Sequence, residues 1–167
     1  MQAYSWVKPV VVDGGEFIIT PLPLYHIFAM TVSLTFLMIG ARNLLIANPR
    51  DIPGFVKEWS KYPVSVTTGV NTLFNGLLNN SDFAKLDFST MKVSLGGGMA
   101  VQAPVAERWQ KVTGSPLLQA YGLTETSPAA TINPLNLKEF NGSIGLPISS
   151  TEVSIRDDDG KEVPLDQ

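Results

Sequence analysis

Short apolar runs alternate with helix-length segments along most of this sequence, and that alternation limits the chain to few architectures. Glu16–Thr20, Asn43–Ala47, Val64–Thr68, Lys92–Leu95 and Leu117–Ala120 are brief, apolar or β-branched, and read as strands. The first is bounded by Asp13-Gly14-Gly15 and by Pro21. Between the strands lie helical patterns. Leu24–Ile39 is apolar nearly all round and is expected to be a buried helix. Asp51 is placed to cap a helix running through Lys61, with Pro53 tolerated in its first turn. Asn71–Leu78 is a short helix closed by Asn79-Asn80. Ala100–Thr113 carries Val101, Val105, Trp109 and Val112 on one face and ends at Gly114. The pattern predicts an α/β fold: a mostly parallel sheet flanked by helices. Beyond it, Glu152–Arg156 is expected as a more polar strand, followed by a hairpin-type turn at Asp157-Asp158-Asp159-Gly160.

Ligands of such sheets sit beyond the carboxyl ends of the strands. Two segments fall there. Gly96-Gly97-Gly98 is either a flexible joint from strand to helix or a stretch of bare backbone amides open to a ligand. Tyr121-Gly122-Leu123-Thr124-Glu125 gathers a flat aromatic face, a glycine that lets backbone approach closely, a hydroxyl donor and a hard oxygen ligand suited to Mg²⁺. Those groups could hold a nucleotide and its metal. By the plainer reading, Tyr121 is a core aromatic whose hydroxyl finds a partner, and Glu125 is a solvated surface charge. His26, the single histidine, opens the apolar helix as either a structural residue or a site residue. Trp59 and Trp109 read as packing residues.

Composition narrows the classes. Hydrophobic residues make up 44% of the 167 and charged residues only 16%, against about 25% charged in typical soluble domains. So sparse a charge implies that part of the surface is normally covered by more protein or by lipid. A net charge of −3 without basic runs gives nucleic-acid binding no support. The absence of cysteine excludes disulfides, thiolate zinc sites and thiol catalysis. The apolar stretch Ile27–Ala41 has 15 residues, short of the roughly 20 a spanning helix needs. No secretory signal follows Met1.

Four segments occur in a telling order: Pro21-Leu22-Pro23-Leu24-Tyr25-His26-Ile27-Phe28-Ala29, then Ser94-Leu95-Gly96-Gly97-Gly98-Met99-Ala100, then Gln119-Ala120-Tyr121-Gly122-Leu123-Thr124-Glu125-Thr126, then Gly142-Ser143-Ile144-Gly145-Leu146-Pro147. This set resembles the adenylate-forming, acyl-activating superfamily, and is most similar to the bacterial long-chain fatty acyl-CoA synthetases. The likeness runs from about Glu16 to Gln167 and takes in Asn48-Pro49-Arg50-Asp51-Ile52-Pro53 and Thr68-Gly69-Val70-Asn71-Thr72-Leu73-Phe74.

The resemblance implies roles. Tyr121 would pack on adenine, with Gly122 beside it. Thr124 would contact the α-phosphate and Glu125 would hold Mg²⁺. Gly96, Gly97 and Gly98 would line the adenine and acyl sites. His26 would border the acyl pocket and the adenylate. Val70, Asn71 and Phe74 would wall the acyl channel, or else are plain core. Thr124, Glu125 and His26 are the implied catalytic set. ATP, Mg²⁺ and coenzyme A are the implied cofactors and co-substrates, and a fatty acid is the implied substrate.

Three further expectations follow. Residues 1–167 would form part of an AMP-binding domain, with the phosphate-gripping loop before Met1 and the small C-terminal domain after Gln167 both outside the chain. Such a piece alone would be inactive, and its exposed apolar surface would favour self-association or a homodimer. The parent enzyme would be cytoplasmic, with peripheral contact to the inner membrane. The rival readings are an aryl- or amino-acid-activating adenylation domain, a non-catalytic nucleotide- or lipid-binding fragment, and a structural α/β domain.

Overall fold

The β-branched and apolar character of the strand segments has a direct consequence in the computed structural model, which describes residues 2–164. β1 (Phe17–Thr20), β3 (Val66–Gly69) and β4 (Val93–Gly96) are buried at every position. Strands hidden on both faces belong inside a helix-covered parallel sheet. With β2 (Arg42–Leu45), β5 (Leu117–Gly122), β6 (Ala129–Ile132) and β7 (Leu146–Pro147) they form one seven-stranded sheet in the order β2-β1-β3-β4-β5-β6-β7. The first five strands run parallel. β6 pairs antiparallel with β5, and β7 antiparallel with β6.

Side-chain alternation divides the core in two. Phe17 and Ile19 of β1 join Leu117 of β5 on one face, against α3 (Ile52–Trp59), α4 (Asn71–Leu78) and α5 (Ala103–Thr113). There Trp59, Phe83, Phe88, Trp109 and Phe74 form an aromatic cluster in mostly edge-on contact, with Phe74 and Trp109 ring centroids 4.8 Å apart. The indole nitrogens of Trp59 and Trp109 stay buried without a hydrogen-bond partner among the described residues. Ile18, Val66, Val93, Leu95 and Leu118 face the other way, against α1 (Gln2–Val7) and α2 (Ile27–Met38).

Local chemistry sets the helix ends. Asp51 accepts the Gly54 N–H at 3.1 Å and starts α3, with Pro53 in its first turn. Gly114 adopts the left-handed conformation that closes α5. α4 spans the residues expected. α2 begins three positions later than expected, after Pro23, where the His26 imidazole takes over as its cap. Its expected all-round burial is not found: Met30, Leu34, Leu37 and Met38 are exposed. α2 is the outermost layer on its side, and only its Ala29, Ser33 and Phe36 aspect is buried against the sheet. The strand expected at Glu152–Arg156 is also absent. Around the Asp157–Gly160 turn, Ile155 and Asp157 pair with Val163 and Lys161 about a single bridge, Arg156 to Glu162, a pairing too short to make a strand. Among the described residues no helix is long and apolar enough to cross a membrane.

One polar device sits inside this apolar frame. Glu16, fully buried just before β1, accepts the Val12 N–H at 2.7 Å, the Ser65 hydroxyl and the Lys92 ammonium. Ser65 precedes β3 and Lys92 precedes β4. One carboxylate therefore pins three parallel strands at their amino ends, opposite the end where ligands bind. Burial raises the Glu16 pKa, but the hydrogen bonds from Lys92, Ser65 and Val12, with the Lys92 charge, outweigh it and hold the group below its ordinary 4.5. A carboxyl depressed in the folded state contributes stability that is present above its unfolded pKa. That stability is lost as pH falls through the folded value. Glu16→Gln should accordingly flatten the acid limb of thermal stability below about pH 4.5. Lys92→Ala, which leaves the carboxylate buried and unpaired, should cost about 3 kcal/mol at neutral pH. Thermal unfolding of both variants against pH checks this; a Glu16→Gln profile parallel to wild type would contradict it.

Candidate functional site

The carboxyl ends of β4 and β5 and the loop after β1 converge on one side of the sheet. β1 leads through Pro21-Leu22-Pro23 to His26, which caps α2: its Nδ1 accepts the Phe28 N–H at 3.2 Å, so Nε2 is the nitrogen free for a ligand. β4 runs into Gly97 and Gly98. Gly97 is tethered by its N–H to the Gly69 carbonyl at 3.1 Å, and a Cβ on it would come within 3.0 Å of the Phe28 ring. Gly98 has φ +77°, a conformation that favours glycine. β5 delivers Tyr121 and Gly122, followed by a 3₁₀ turn at Thr124–Thr126.

That turn is held by a residue the sequence reading passed over. The Thr126 hydroxyl accepts the Leu123 N–H at 2.9 Å and lies 2.5 Å from the Pro128 carbonyl, to which it donates. Thr124 and Glu125 are thereby fixed at the tip with exposed side chains. Gly122 sits at an irregularity in the β5–β6 pairing, where a side chain would collide with the Pro128 carbonyl. Behind the turn, the buried Gln119 and Asn133 tie the wall together. Asn133 Oδ1 accepts the Gln119 N–H at 2.7 Å, and both side-chain amides donate to the Ser143 carbonyl. Gly142-Ser143-Ile144-Gly145 is thus folded back against β5 and β6.

These elements enclose a cavity of about 360 Å³, within the range of small-molecule sites. His26, Gly97, Gly98, Tyr121, Gly122, Thr124 and Glu125 all line it. From this polar mouth it continues between α2 and the sheet, past Phe28, Thr31, Val32 and Thr35 on one side and Thr68, Leu95, Val66 and Val93 on the other. Trp6 and Val7 of α1 also border it.

Four residues singled out in the sequence do not line it. Phe74 is fully buried against Trp109 on the opposite face of the sheet. Asn71 is occupied: its Oδ1 accepts the Gln102 N–H at 3.0 Å at the start of α5. Val70 approaches Gly98 from beneath, and Gly96 points toward Val101. The cavity lies under α2, and Val70, Asn71 and Phe74, which the resemblance gives to an acyl channel or else to plain core, are not in its lining. Periodicity marks the apolar face of α4 but cannot say which side of the sheet it covers.

The donor set at the mouth bears on Mg²⁺. This ion keeps several waters and takes one or two carboxylates together with substrate phosphates. A single exposed carboxylate, Glu125, next in sequence to the Thr124 hydroxyl, fits that mode. No cluster of three or more His, Cys, Asp or Glu exists among the described residues to hold a metal by protein ligands alone.

Comparison with known proteins agrees with this geometry. The sequence pattern of the AMP-binding enzymes matches residues 1–167. The chain is 58% identical over 165 residues to a long-chain-fatty-acid–CoA ligase of Yersinia pestis, covering 98% of this chain and 29% of that protein. It is 57% identical over 167 residues to the corresponding ligase of Escherichia coli O6:H1, covering 99% and 30%. The chain therefore spans about three-tenths of the length of these relatives. The crystal structure of an anthranilate CoA ligase in complex with anthranoyl-AMP superposes with a TM-score of 0.84 at 22% identity, over 98% of this chain and 32% of that one, and shares its fold.

Replacing Gly122 tests the close approach that shapes the mouth. Gly122→Ala should force β5 and β6 apart, lowering Tm by several degrees. Thermal unfolding measures this; an unchanged variant would show that the approach carries no constraint.

Proposed function

The chain belongs to the AMP-binding enzymes, and from that premise we propose that it carries the adenylate and acyl sites of a long-chain fatty acid–CoA ligase. The observation that carries the reading is one continuous cavity, polar at Tyr121–Glu125 and His26 and apolar beneath α2. The likeness to relatives named as long-chain-fatty-acid–CoA ligases supports it.

The reaction has two steps. A fatty acid carboxylate oxygen attacks the α-phosphorus of ATP, the bond to the β-phosphate oxygen breaks, and pyrophosphate leaves an acyl-AMP. The coenzyme A thiol then attacks the acyl carbon, its proton is lost, and AMP departs with the electrons of the broken C–O bond. Tyr121 offers its ring to the adenine, and Gly122 and Gly98 keep backbone close to the ligand. Thr124 donates to an α-phosphate oxygen. His26, with Nε2 free, orients the reacting carboxylate. Bound Mg²⁺ would offset charge that builds on the phosphate oxygens. Glu125 is the residue that would hold it. The alkyl tail leaves the mouth past Phe28 and Gly97 and enters the slot, where each buried CH₂ contributes about 0.8 kcal/mol.

The chain is read as part of a larger AMP-binding domain, in keeping with the span of its relatives. ATP and coenzyme A are the proposed co-substrates. Contact with a membrane surface accords with the exposed apolar residues of α2, as does self-association.

Glu125→Ala in the full-length protein should slow fatty-acid-dependent ATP–pyrophosphate exchange at least a hundredfold while Tm stays within about a degree, since the side chain is exposed. Exchange at the wild-type rate in a folded variant would remove the metal role. Absence of exchange in the wild type with any long-chain acid would remove the ligase reading.

A further inference from the structure

Thr68 poses a problem of hydrogen-bond accounting. It sits on β3 with 1% of its surface exposed, and its hydroxyl has no partner among the described residues. Buried polar groups are nearly always satisfied, and an orphan calls for a reason. Strand alternation puts Thr68 on the same face as Val66, and both line the cavity. Its paired neighbour is Leu95, two positions before Gly97. Thr68 therefore lies about 7 Å down the strand from the mouth, within the part of the slot assigned to the alkyl tail.

It is not alone there. Thr31 and Thr35, one helical turn apart on α2, line the same slot from the facing side. Three hydroxyl-bearing residues thus interrupt walls otherwise made of Phe28, Val32, Val66, Val93 and Leu95. The hydroxyl is closed off from water even without a tail in place, so a plain hydrocarbon tail leaves it as unpaired as it finds it. A tail bearing an oxygen at that depth would supply the missing partner.

Resting on the ligase reading above, we propose that the slot selects in-chain oxygenated fatty acids, with Thr68 as the hydrogen-bonding residue and Thr31 and Thr35 completing a polar belt around the tail. The substituent, a hydroxyl or a keto oxygen, belongs in the interior of the chain, because Thr68 is set back from the carboxylate end. A hydroxyl can donate to and accept from threonine. A methyl branch of similar size can do neither, so steric fit and hydrogen bonding separate cleanly.

The test is displacement of a fluorescent fatty acid from the full-length protein by stearate carrying either a hydroxyl or a methyl branch at successive interior positions. The wild type should bind the hydroxy acid about three- to tenfold more tightly than its methyl counterpart over a narrow window of positions. Thr68→Val should reduce that ratio to below twofold in the same window, and Thr68→Ser should restore it. Equal binding of hydroxy and methyl acids by the wild type at every position would overturn the proposal, and so would a ratio that survives Thr68→Val. The wild-type comparison decides the matter even where the valine variant fails to fold. ATP-dependent pyrophosphate release with stearate, followed in parallel, reads the ligase chemistry separately: its absence would remove that chemistry and leave the binding result standing.

Discussion

The structure depends on parallel alignment of its central strands. Four parallel pairings, β1 with β2, β1 with β3, β3 with β4 and β4 with β5, bring the strand carboxyl ends to one edge. Parallel neighbours must be joined by a crossover, and here each crossover is a helix that covers one face. The consequence is a strict division of labour between the two edges. At the amino edge, Glu16 reaches Ser65 and Lys92 and fixes strands β1, β3 and β4 relative to one another. At the carboxyl edge, the loops are free to present His26, Gly97, Gly98 and the Tyr121–Glu125 tip to a common space.

The two helical layers differ in kind. On the α3–α4–α5 side, large aromatics interlock and leave no room for a ligand: Phe74, Trp109, Phe83 and Trp59 are all within 1% of full burial. On the α2 side, small and β-branched residues meet the sheet. Ala29 and Ser33 let the helix settle at one flank, while Thr31, Val32 and Thr35 leave the slot open at the other. Packing density thus decides which face of the sheet keeps an open slot. The mouth of the cavity is built by short-range chemistry: an imidazole cap, a threonine hydroxyl bridging a tight turn, and a glycine where two strands come too close for a Cβ.

Much of this was legible in the residues, and the failures are instructive. α4 was placed at its observed bounds because Asn71–Leu78 carries both a clear apolar face and terminal asparagines. Gly114 marked the end of α5 because a left-handed residue closes helices. The gathering of Tyr121, Thr124, Glu125 and Gly97 at one cavity follows from the ligand rule for parallel sheets, and the resemblance adds His26. α2 misled because twelve uncharged residues with almost no amphipathic bias carry no record of which side faces in. α1 and β7, six and two residues long, are too short to carry a periodic signal. The resemblance leaves Phe74 and Asn71 between acyl channel and plain core, and tertiary placement puts one in the aromatic cluster and the other on the Gln102 amide. Thr126 and Thr68 were invisible for a different reason: their significance lies in hydrogen bonds made or missing across the fold.

The central claim is that a nucleotide and an alkyl tail share the cavity beneath α2. The most direct measurement is a crystal structure with a non-hydrolysable long-chain acyl-AMP analogue. The account predicts the purine against Tyr121, the phosphate linkage beside Thr124 and the tail running past Phe28 and Gly97 toward Thr68. A tail threaded along α4 beside Phe74, or a purine bound away from Tyr121, would contradict it.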